Sequence, residues 1–114
     1  MKSPAPASIF AAFADPTRLR LLNLLSGPAE LCVCELMELL DAPQSTVSRH
    51  LSVLKRAGLV VSRARGKWEY YALASPEAAL PKRLLSCVAS CLAELPEMKA
   101  DLAKLGRRAK ANCA

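Results

Sequence analysis

The chain has 114 residues, enough for one domain with a modest core and hardly for two. Hydrophobic residues make up 53% of it and aromatic residues 4%, which favours an aliphatic, mainly helical core whose burial is often completed by dimerisation. The net charge of +6 is uneven, and six bases against one acid in residues 44–75 indicate either a phosphate-binding surface or a solvated charged face.

The apolar pattern argues against export and membrane insertion. The first residues are too few and too polar for a signal peptide, and no apolar run approaches membrane-spanning length. We therefore expect a cytoplasmic protein with no membrane partner. In a reducing compartment, five cysteines, an odd number, are expected to be thiols, metal ligands or core residues rather than disulfides.

Two helices are predicted at the start of the chain, the first a short one over residues 9–13. Asp15 followed by Pro16 is typical of a helix start, because the carboxylate accepts hydrogen bonds from free N–H groups and proline fits the first turn. Leucines at helical spacing then predict a broad apolar face. Arg18 and Arg20 fall outside that face and are expected to be solvated.

A helix-turn-helix is predicted next. Residues 31–40 form its first helix, and after a turn at residues 41–43 the second helix covers residues 44–57. One side of this second helix is apolar and the opposite side is polar and basic, as in a helix that enters a DNA groove. Arg49 is the first candidate for a base contact, since arginine is the usual reader of guanine. The other candidates for DNA contact are Gln44, Ser45, Thr46, Ser48 and His50, the last with helix packing or metal ligation as its alternatives.

A β-hairpin is predicted immediately after this helix. Residues 59–63 and 68–73 are β-branched or aromatic runs on either side of a short turn. A hairpin in this position is a wing, and Arg65 and Lys67 at its tip are expected to meet the phosphate backbone or the adjacent minor groove. The predicted fold is mainly α with a small β-hairpin: a winged helix-turn-helix of four helices, two strands, and one or two further helices.

The C-terminal part is predicted to form the dimer. A helix over residues 82–95 has a wider apolar face than a chain of this size needs, and we expect it to make a homodimer interface together with the first helix. Pro96 ends this helix, and a shorter helix follows. Residues 1–8 and 107–114 are expected to be flexible tails of a single winged-helix DNA-binding domain that spans residues 1–114.

Four motifs stand in a fixed order along the chain: ADPTR at residues 14–18, ELCVCEL at 30–36, STVSRHL at 45–51, and GKW at 66–68 with the tyrosines at 70–71. Together they resemble the ArsR/SmtB family of metal-responsive winged-helix repressors, and most closely its arsenical-responsive branch. The resemblance covers residues 9–75. It implies a homodimer that occupies operator DNA and dissociates when As(III), Sb(III) or a related thiophilic ion binds Cys32 and Cys34 as inducer, with no permanent cofactor.

Cys32 and Cys34 are soft sulfur ligands, and selectivity for ions such as As(III) rests on that softness. Two residues apart on a regular helix, they would point about 200° away from each other. We therefore expect ligand binding to need or cause unwinding at the start of the first helix of the pair, which would depopulate the DNA-binding geometry. The alternative is that both are small buried hydrophobic residues.

The third ligand of a trivalent ion stays open. In the arsenical-responsive branch a third cysteine often follows three residues after the second, but this chain has Met37 there, and a thioether is a poor ligand for As(III). Hydroxide, a small thiol or the methyl group of a methylated arsenical could complete a two-sulfur site. The candidate protein ligands are Cys87, Cys91 and Cys113. The alternative for the first two is that they only pack in the dimer interface, and the alternative for the third is that it is a tail cysteine with no role.

Three other functions compete with this interpretation. An enzyme is disfavoured because the sequence has no Cys–His dyad in a sensible context and no glycine-rich phosphate loop. A repressor of the same fold could respond to another soft metal or to thiol oxidation instead. A protein that only sequesters soft metals would form no sequence-selective complex with DNA.

Overall fold

The computed structural model describes residues 4–27 and 30–111, the side chains of 109–111 excepted. Its elements, in chain order, are α1 (Pro6–Phe13), α2 (Pro16–Leu25), β1 (Leu31–Cys32), α3 (Val33–Leu40), α4 (Gln44–Arg56), β2 (Val60–Arg65), β3 (Trp68–Leu73), α5 (Ala79–Ser90), a 3-10 turn (Leu92–Glu94) and α6 (Pro96–Ala111). The predicted winged helix-turn-helix is confirmed: α3 and α4 form the helix pair, and β2 and β3 form the wing. No helix within the described ranges is both long and apolar enough to cross a bilayer.

The sheet has a third strand that the sequence did not predict. β1 pairs antiparallel with β3, placing Leu31 opposite Tyr71 and Cys32 opposite Tyr70, so the strand order is β1-β3-β2. A two-residue strand is too short to show alternation, and it forms only because the hairpin offers a free edge. The consequence for function is direct, because the first cysteine lies in the wing sheet, opposite Tyr70.

The core is aliphatic and lies around α2. Four of its leucines are at most 1% exposed, so this helix is apolar on most of its surface, as expected of a central helix. It contacts α1, α3, α4, α5 and α6, together with β3. The residues predicted to form the apolar side of α4 are fully buried, and they are Val47, Leu51 and Leu54.

Both predicted tails are partly helical. α1 begins at Pro6, where proline fits the first helical turn because its missing N–H is not needed there. Pro96 plays the same part in α6: it opens a 16-residue helix that runs to Ala111. The prediction of a tail from residue 107 was therefore wrong for residues 107–111, and residues 112–114 lie outside the described part of the chain.

The predicted dimerisation helix is also shorter than expected. It spans Ala79–Ser90, because Cys91 is its C-terminal cap and a 3-10 turn follows. Leu85 and Val88 are buried in the core of the chain itself, so they cannot serve as interface residues. The wide apolar side of this helix is explained without a partner protomer, because much of it packs on α2.

Arg20 fastens the C-terminal helix to the core. Its guanidinium donates two hydrogen bonds to the Asp101 carboxylate, from Nε at 2.8 Å and from Nη2 at 2.9 Å, and the Asp101 side chain is only 7% exposed. The Asp101 hydrogen bonds raise the pKa of Arg20 further above its ordinary value. The expectation that Arg20 is solvated was wrong, because its partner lies 81 positions away along the chain.

Asp101→Asn is expected to lower the free energy of unfolding by about 2 kcal/mol, because it replaces a two-bond charged contact with a neutral amide that can accept from the partly buried guanidinium through only one oxygen. Urea unfolding followed by circular dichroism measures this. Glu97→Gln is the matched control: Glu97 is 3.4 Å from the same guanidinium but its side chain is 63% exposed, so its loss should change stability by less than about 1 kcal/mol. Equal effects of the two substitutions would contradict the role given to Asp101.

Candidate nucleic-acid interface and thiol site

The turn between α3 and α4 sets the position of the DNA-reading helix. Asp41 caps α3 in the left-handed conformation, with φ of 52°, which aspartate tolerates better than most residues. Its backbone N–H donates to the carbonyl of Glu38, and the N–H of Ala42 donates to that of Met37. Two helices thus follow each other within three residues, and α4 starts at Gln44 with its polar side outward.

The exposed side of α4 carries most of the predicted DNA contacts. Gln44, Ser45 and Arg49 are exposed, while Thr46 and Ser48 are half-buried beside them. The structure therefore brings five of the six candidates of this helix to one accessible face, near its N-terminal half.

His50 lies in the interior instead. It is 5% exposed, and its Nδ1 accepts a hydrogen bond from Arg18 Nη1 at 3.2 Å, with Asp15 Oδ2 at 3.8 Å. Burial lowers the pKa of His50 below its ordinary value of 6.5, although the Asp15 carboxylate acts in the opposite direction. We therefore correct the DNA-contact assignment of His50: helix packing, one of its alternatives, is its role in the structure.

Arg18 connects three helices around that histidine. Its Nε donates to the carbonyl of Ala12 at 2.8 Å and its Nη2 to that of Ala11 at 3.0 Å, at the C-terminal end of α1. Asp15 accepts from the Arg18 backbone N–H at 3.0 Å, which confirms the predicted cap of α2. Arg18 is thus not solvated as expected. It holds α1 and α2 against α4 and so supports the DNA-reading helix on its buried side.

The burial of His50 predicts a pH dependence of stability. Between pH 6.5 and the lower pKa of the folded state, the unfolded chain binds a proton that the folded chain does not, so the free energy of unfolding should fall as the pH falls through this window. His50→Gln should be less stable than wild type at pH 7.5, because it loses the Arg18 contact, and should lose less stability on going to pH 5.5. Urea unfolding at both pH values measures this. Identical losses in the two proteins would contradict a neutral buried His50.

The wing presents two exposed cations at its tip. Arg65 and Lys67 are exposed on either side of Gly66, whose φ of 64° suits the tight turn. The Arg65 guanidinium lies 5.0 Å from the centre of the Tyr70 ring, which limits its motion. Both predicted wing contacts are therefore accessible to a phosphate backbone.

Other basic residues of this surface are paired within the chain. Arg63 binds the Glu30 carboxylate through Nε and Nη2 at 2.7–2.9 Å. The hydrogen bond from Arg63 lowers the pKa of Glu30. Lys55 likewise donates to Ser62 Oγ at 2.7 Å, which itself donates to Glu69 at 2.6 Å. These pairs brace the wing rather than leaving charge for DNA.

The two motif cysteines lie on either side of the start of α3. Cys32 ends β1 and caps the helix in an extended conformation, and Cys34 is the second helical residue. Cys32 is 8% exposed and its backbone N–H donates to Glu35 Oε1 at 3.0 Å, whereas Cys34 is exposed. Burial raises the pKa of the Cys32 thiol above its ordinary value of 9.0.

Both thiols line one open groove of about 430 Å³. The expectation that they diverge by about 200° assumed a regular helix through both residues, and it was wrong because the helix begins between them, at Val33. Cys32 and Cys34 therefore line the same groove with α3 regular from Val33 onward. The other residues that line the groove come from the position before β1, from α3, from the wing and from the C-terminal helix: Glu30, Glu35, Trp68, Tyr70 and Arg108.

The remaining cysteines are elsewhere. Met37 is half-buried and packs against the core. Cys87 and Cys91 are exposed at the end of α5 and do not line the groove, and a hydrogen bond with Cys91 raises the pKa of Cys87. Cys113 lies outside the described residues. Within residues 4–27 and 30–111 there is no cluster of three or more histidine, cysteine or acidic side chains that could hold a metal ion.

Sequence comparisons agree with this arrangement. The family model described as bacterial regulatory protein, arsR family, matches residues 15–62. A transcriptional regulator of the HTH type from Methanocaldococcus jannaschii, MJ1325, is 49% identical over 57% of this chain and 73% of its own length. The arsenical resistance operon repressor of Escherichia coli is 47% identical over 60% of this chain, and a CadC homolog, a cadmium resistance regulator of Staphylococcus aureus, is 39% identical over 59%. The matched segment spans 58% and 55% of those two proteins, little more than half of each.

Solved structures point to the same fold. HlyU from Vibrio cholerae superposes with a TM-score of 0.62 at 32% identity, covering 72% of this chain and 85% of HlyU. The homodimeric winged helix-turn-helix domain Mb0332 from Mycobacterium bovis gives a TM-score of 0.63 at 31% identity, covering 77% and 78%. These relatives are transcriptional regulators, so the prediction of a regulator rather than an enzyme is confirmed. The chain belongs to the arsR family of bacterial regulatory proteins.

Proposed function

We propose that this regulator is a cytoplasmic repressor that binds operator DNA as a homodimer and dissociates when trivalent arsenic or antimony binds Cys32 and Cys34. The observation that carries the proposal is the shared groove: both thiols line a space whose walls come from the wing and from the first helix of the helix-turn-helix. A ligand in this groove touches the wing, which is one of the two elements proposed to contact DNA. The ligand is an inducer that binds reversibly, and no permanent cofactor is proposed.

The DNA surface combines the exposed side of α4 with the wing tip. Arg49 is the proposed base reader, and Arg65 and Lys67 are the proposed phosphate contacts. Exposure and the lack of intrachain ion pairs at these three cations in the described structure support this assignment. The neighbouring polar side chains proposed to contribute are Gln44, Ser45, Thr46 and Ser48.

The homodimer is proposed to use α1 and the segment that follows α5. Phe10 on α1 is 53% exposed and Leu95, just after the 3-10 turn, is 48% exposed. A second protomer packed on these two elements would bury both side chains. The relative Mb0332 is described as homodimeric, which supports the same assembly for this chain.

The proposed coupling between ligand and DNA passes through the wing sheet. Cys32 is paired with Tyr70 of β3, and Glu30, two residues earlier, holds Arg63 of β2. Bonds from both thiols to one ion would pull β1 and the start of α3 together and so shift the wing relative to α4. A ligand favours release only to the extent that it binds the released shape more tightly.

Two soft ligands compete for this assignment, because the relatives include both arsenical and cadmium regulators. The donor count favours arsenic: the described part of the groove supplies two thiols, and three-coordinate As(III) can keep one oxygen as its third ligand. A soft divalent ion that prefers four sulfur or nitrogen ligands would find half of them.

Proton release distinguishes the two inducer classes. Arsenious acid and two thiols form two As–S bonds and two waters, with no net proton released, whereas Cd²⁺ displaces protons from thiols that are protonated at neutral pH. We expect arsenite to dissociate the reduced protein from its own upstream DNA, as measured by fluorescence anisotropy. The pH of a weakly buffered solution should stay unchanged during this release. Release by Cd²⁺ with proton release, and none by arsenite, would overturn the arsenic assignment.

A further inference from the structure

Arg108 of α6 forms part of the wall of the groove that holds the two thiols. Its side chain is 23% exposed, and its Nη1 donates to the Glu38 carboxylate. Its Nε is buried and has no hydrogen-bond partner among the described residues. Buried donors in proteins are nearly always paired, so the Arg108 guanidinium, at the wall of the groove, has one donor still to be satisfied.

The position of Arg108 is fixed by the packing of α6. Lys104, one turn earlier, donates to the carbonyl oxygens of Glu38 and Leu39 at 2.9 and 3.4 Å, at the C-terminal end of α3. The other side of α6 is held by the Asp101 contact with Arg20. The helix that carries Arg108 is therefore fastened both to the core and to the helix that carries Cys34.

The chemistry of arsenite supplies an acceptor. Each of the two thiols can replace one hydroxyl of arsenious acid with loss of a water, so arsenic stays trivalent and keeps one hydroxyl. We propose that Arg108 Nε–H donates a hydrogen bond to this remaining oxygen. The oxygen then serves as the third ligand, since Met37 stands where a third cysteine would. This inference rests on the proposed function and deepens it: it selects inorganic oxyacids of trivalent arsenic or antimony over organic arsenicals, whose third substituent is carbon and accepts no hydrogen bond.

The test compares arsenite with phenylarsonous acid, PhAs(OH)₂, which forms the same two As–S bonds but retains no oxygen. Trp68, the single tryptophan of the chain, lines the groove and reports binding by its fluorescence. In the reduced full-length protein, Arg108→Met should weaken arsenite binding by about tenfold, as expected for the loss of a hydrogen bond from a charged donor, and leave phenylarsonous acid binding unchanged.

Two control variants separate this role from simple packing. Arg107→Met removes an exposed charge from the neighbouring position and should leave both affinities unchanged. Glu38→Gln removes the ion-pair partner of Arg108 but keeps its Nε, so arsenite binding should stay within about threefold of wild type. Equal weakening of both arsenicals by Arg108→Met, no weakening of either, or an arsenite loss in Glu38→Gln as large as in Arg108→Met would each overturn the inference. Failure of the wild-type protein to bind either arsenical would instead refute the proposed function itself.

Discussion

Serine in place of Cys32 or Cys34 is expected to leave operator affinity unchanged and to abolish release by arsenite. Serine has nearly the same shape but is not a soft ligand, so each variant keeps one of two As–S bonds. Cys32 caps α3, and serine is a preferred residue at that position, so the helix start should be preserved. Anisotropy of labelled operator DNA during arsenite titration measures both properties.

The size of this effect follows from the population shift. Moving the DNA-binding shape from 99% to 1% occupancy requires about 5.5 kcal/mol of differential affinity, and one remaining sulfur bond is too little to provide it. Cys87→Ser is the matched control, because Cys87 is exposed on α5 and does not line the groove. It should respond as wild type does. Normal release in Cys32→Ser would remove the proposed thiol site.

Alanine in place of Arg49 is expected to weaken specific operator binding by about 1–3 kcal/mol, or roughly fivefold to 150-fold, with much less change on unrelated DNA. The residue is exposed on the outward side of α4, and no ion pair within the described structure holds it. The measurement is the ratio of dissociation constants for operator and unrelated DNA at fixed salt.

The wing provides the contrast for Arg49. Lys67→Ala should weaken both DNAs about equally and reduce the dependence of log K on log salt by about one, since Lys67 is exposed at the wing tip and is proposed to meet phosphate. An Arg49→Ala protein that keeps its specificity ratio would show that this side chain does not read bases. In that case the exposed polar residues at the start of α4 become the candidates.

The fold was predictable where one helix or strand carries its own signal. The apolar side of α4, the Asp15 cap of α2 and the two wing strands are local patterns, and the structure has them where they were expected. β1 was missed because two residues carry no periodicity. α6 was expected to be shorter than it is; it continues through Gly106, because one glycine within a helix costs only about 1 kcal/mol.

The site was predictable only in part, for a related reason. The cysteine pair and the polar side of α4 are short motifs, so the sequence could name them. The roles of Arg18, His50 and Arg63 depend on partners 32 or 33 positions away, and helical periodicity says nothing about such contacts. Arg108, which closes the groove from α6, could be found only once the packing of that helix on α3 was known.

The most direct test of the central claim is thermodynamic linkage between ligand and DNA. If inducer binding at Cys32 and Cys34 and operator binding disfavour each other, then operator DNA must weaken arsenite binding by the same factor by which arsenite weakens operator binding. The measurement is the arsenite dissociation constant of the reduced protein, free and saturated with operator. We expect a clearly weaker arsenite affinity in the complex, matching the loss of DNA affinity. Equal arsenite affinities with and without DNA would contradict the claim.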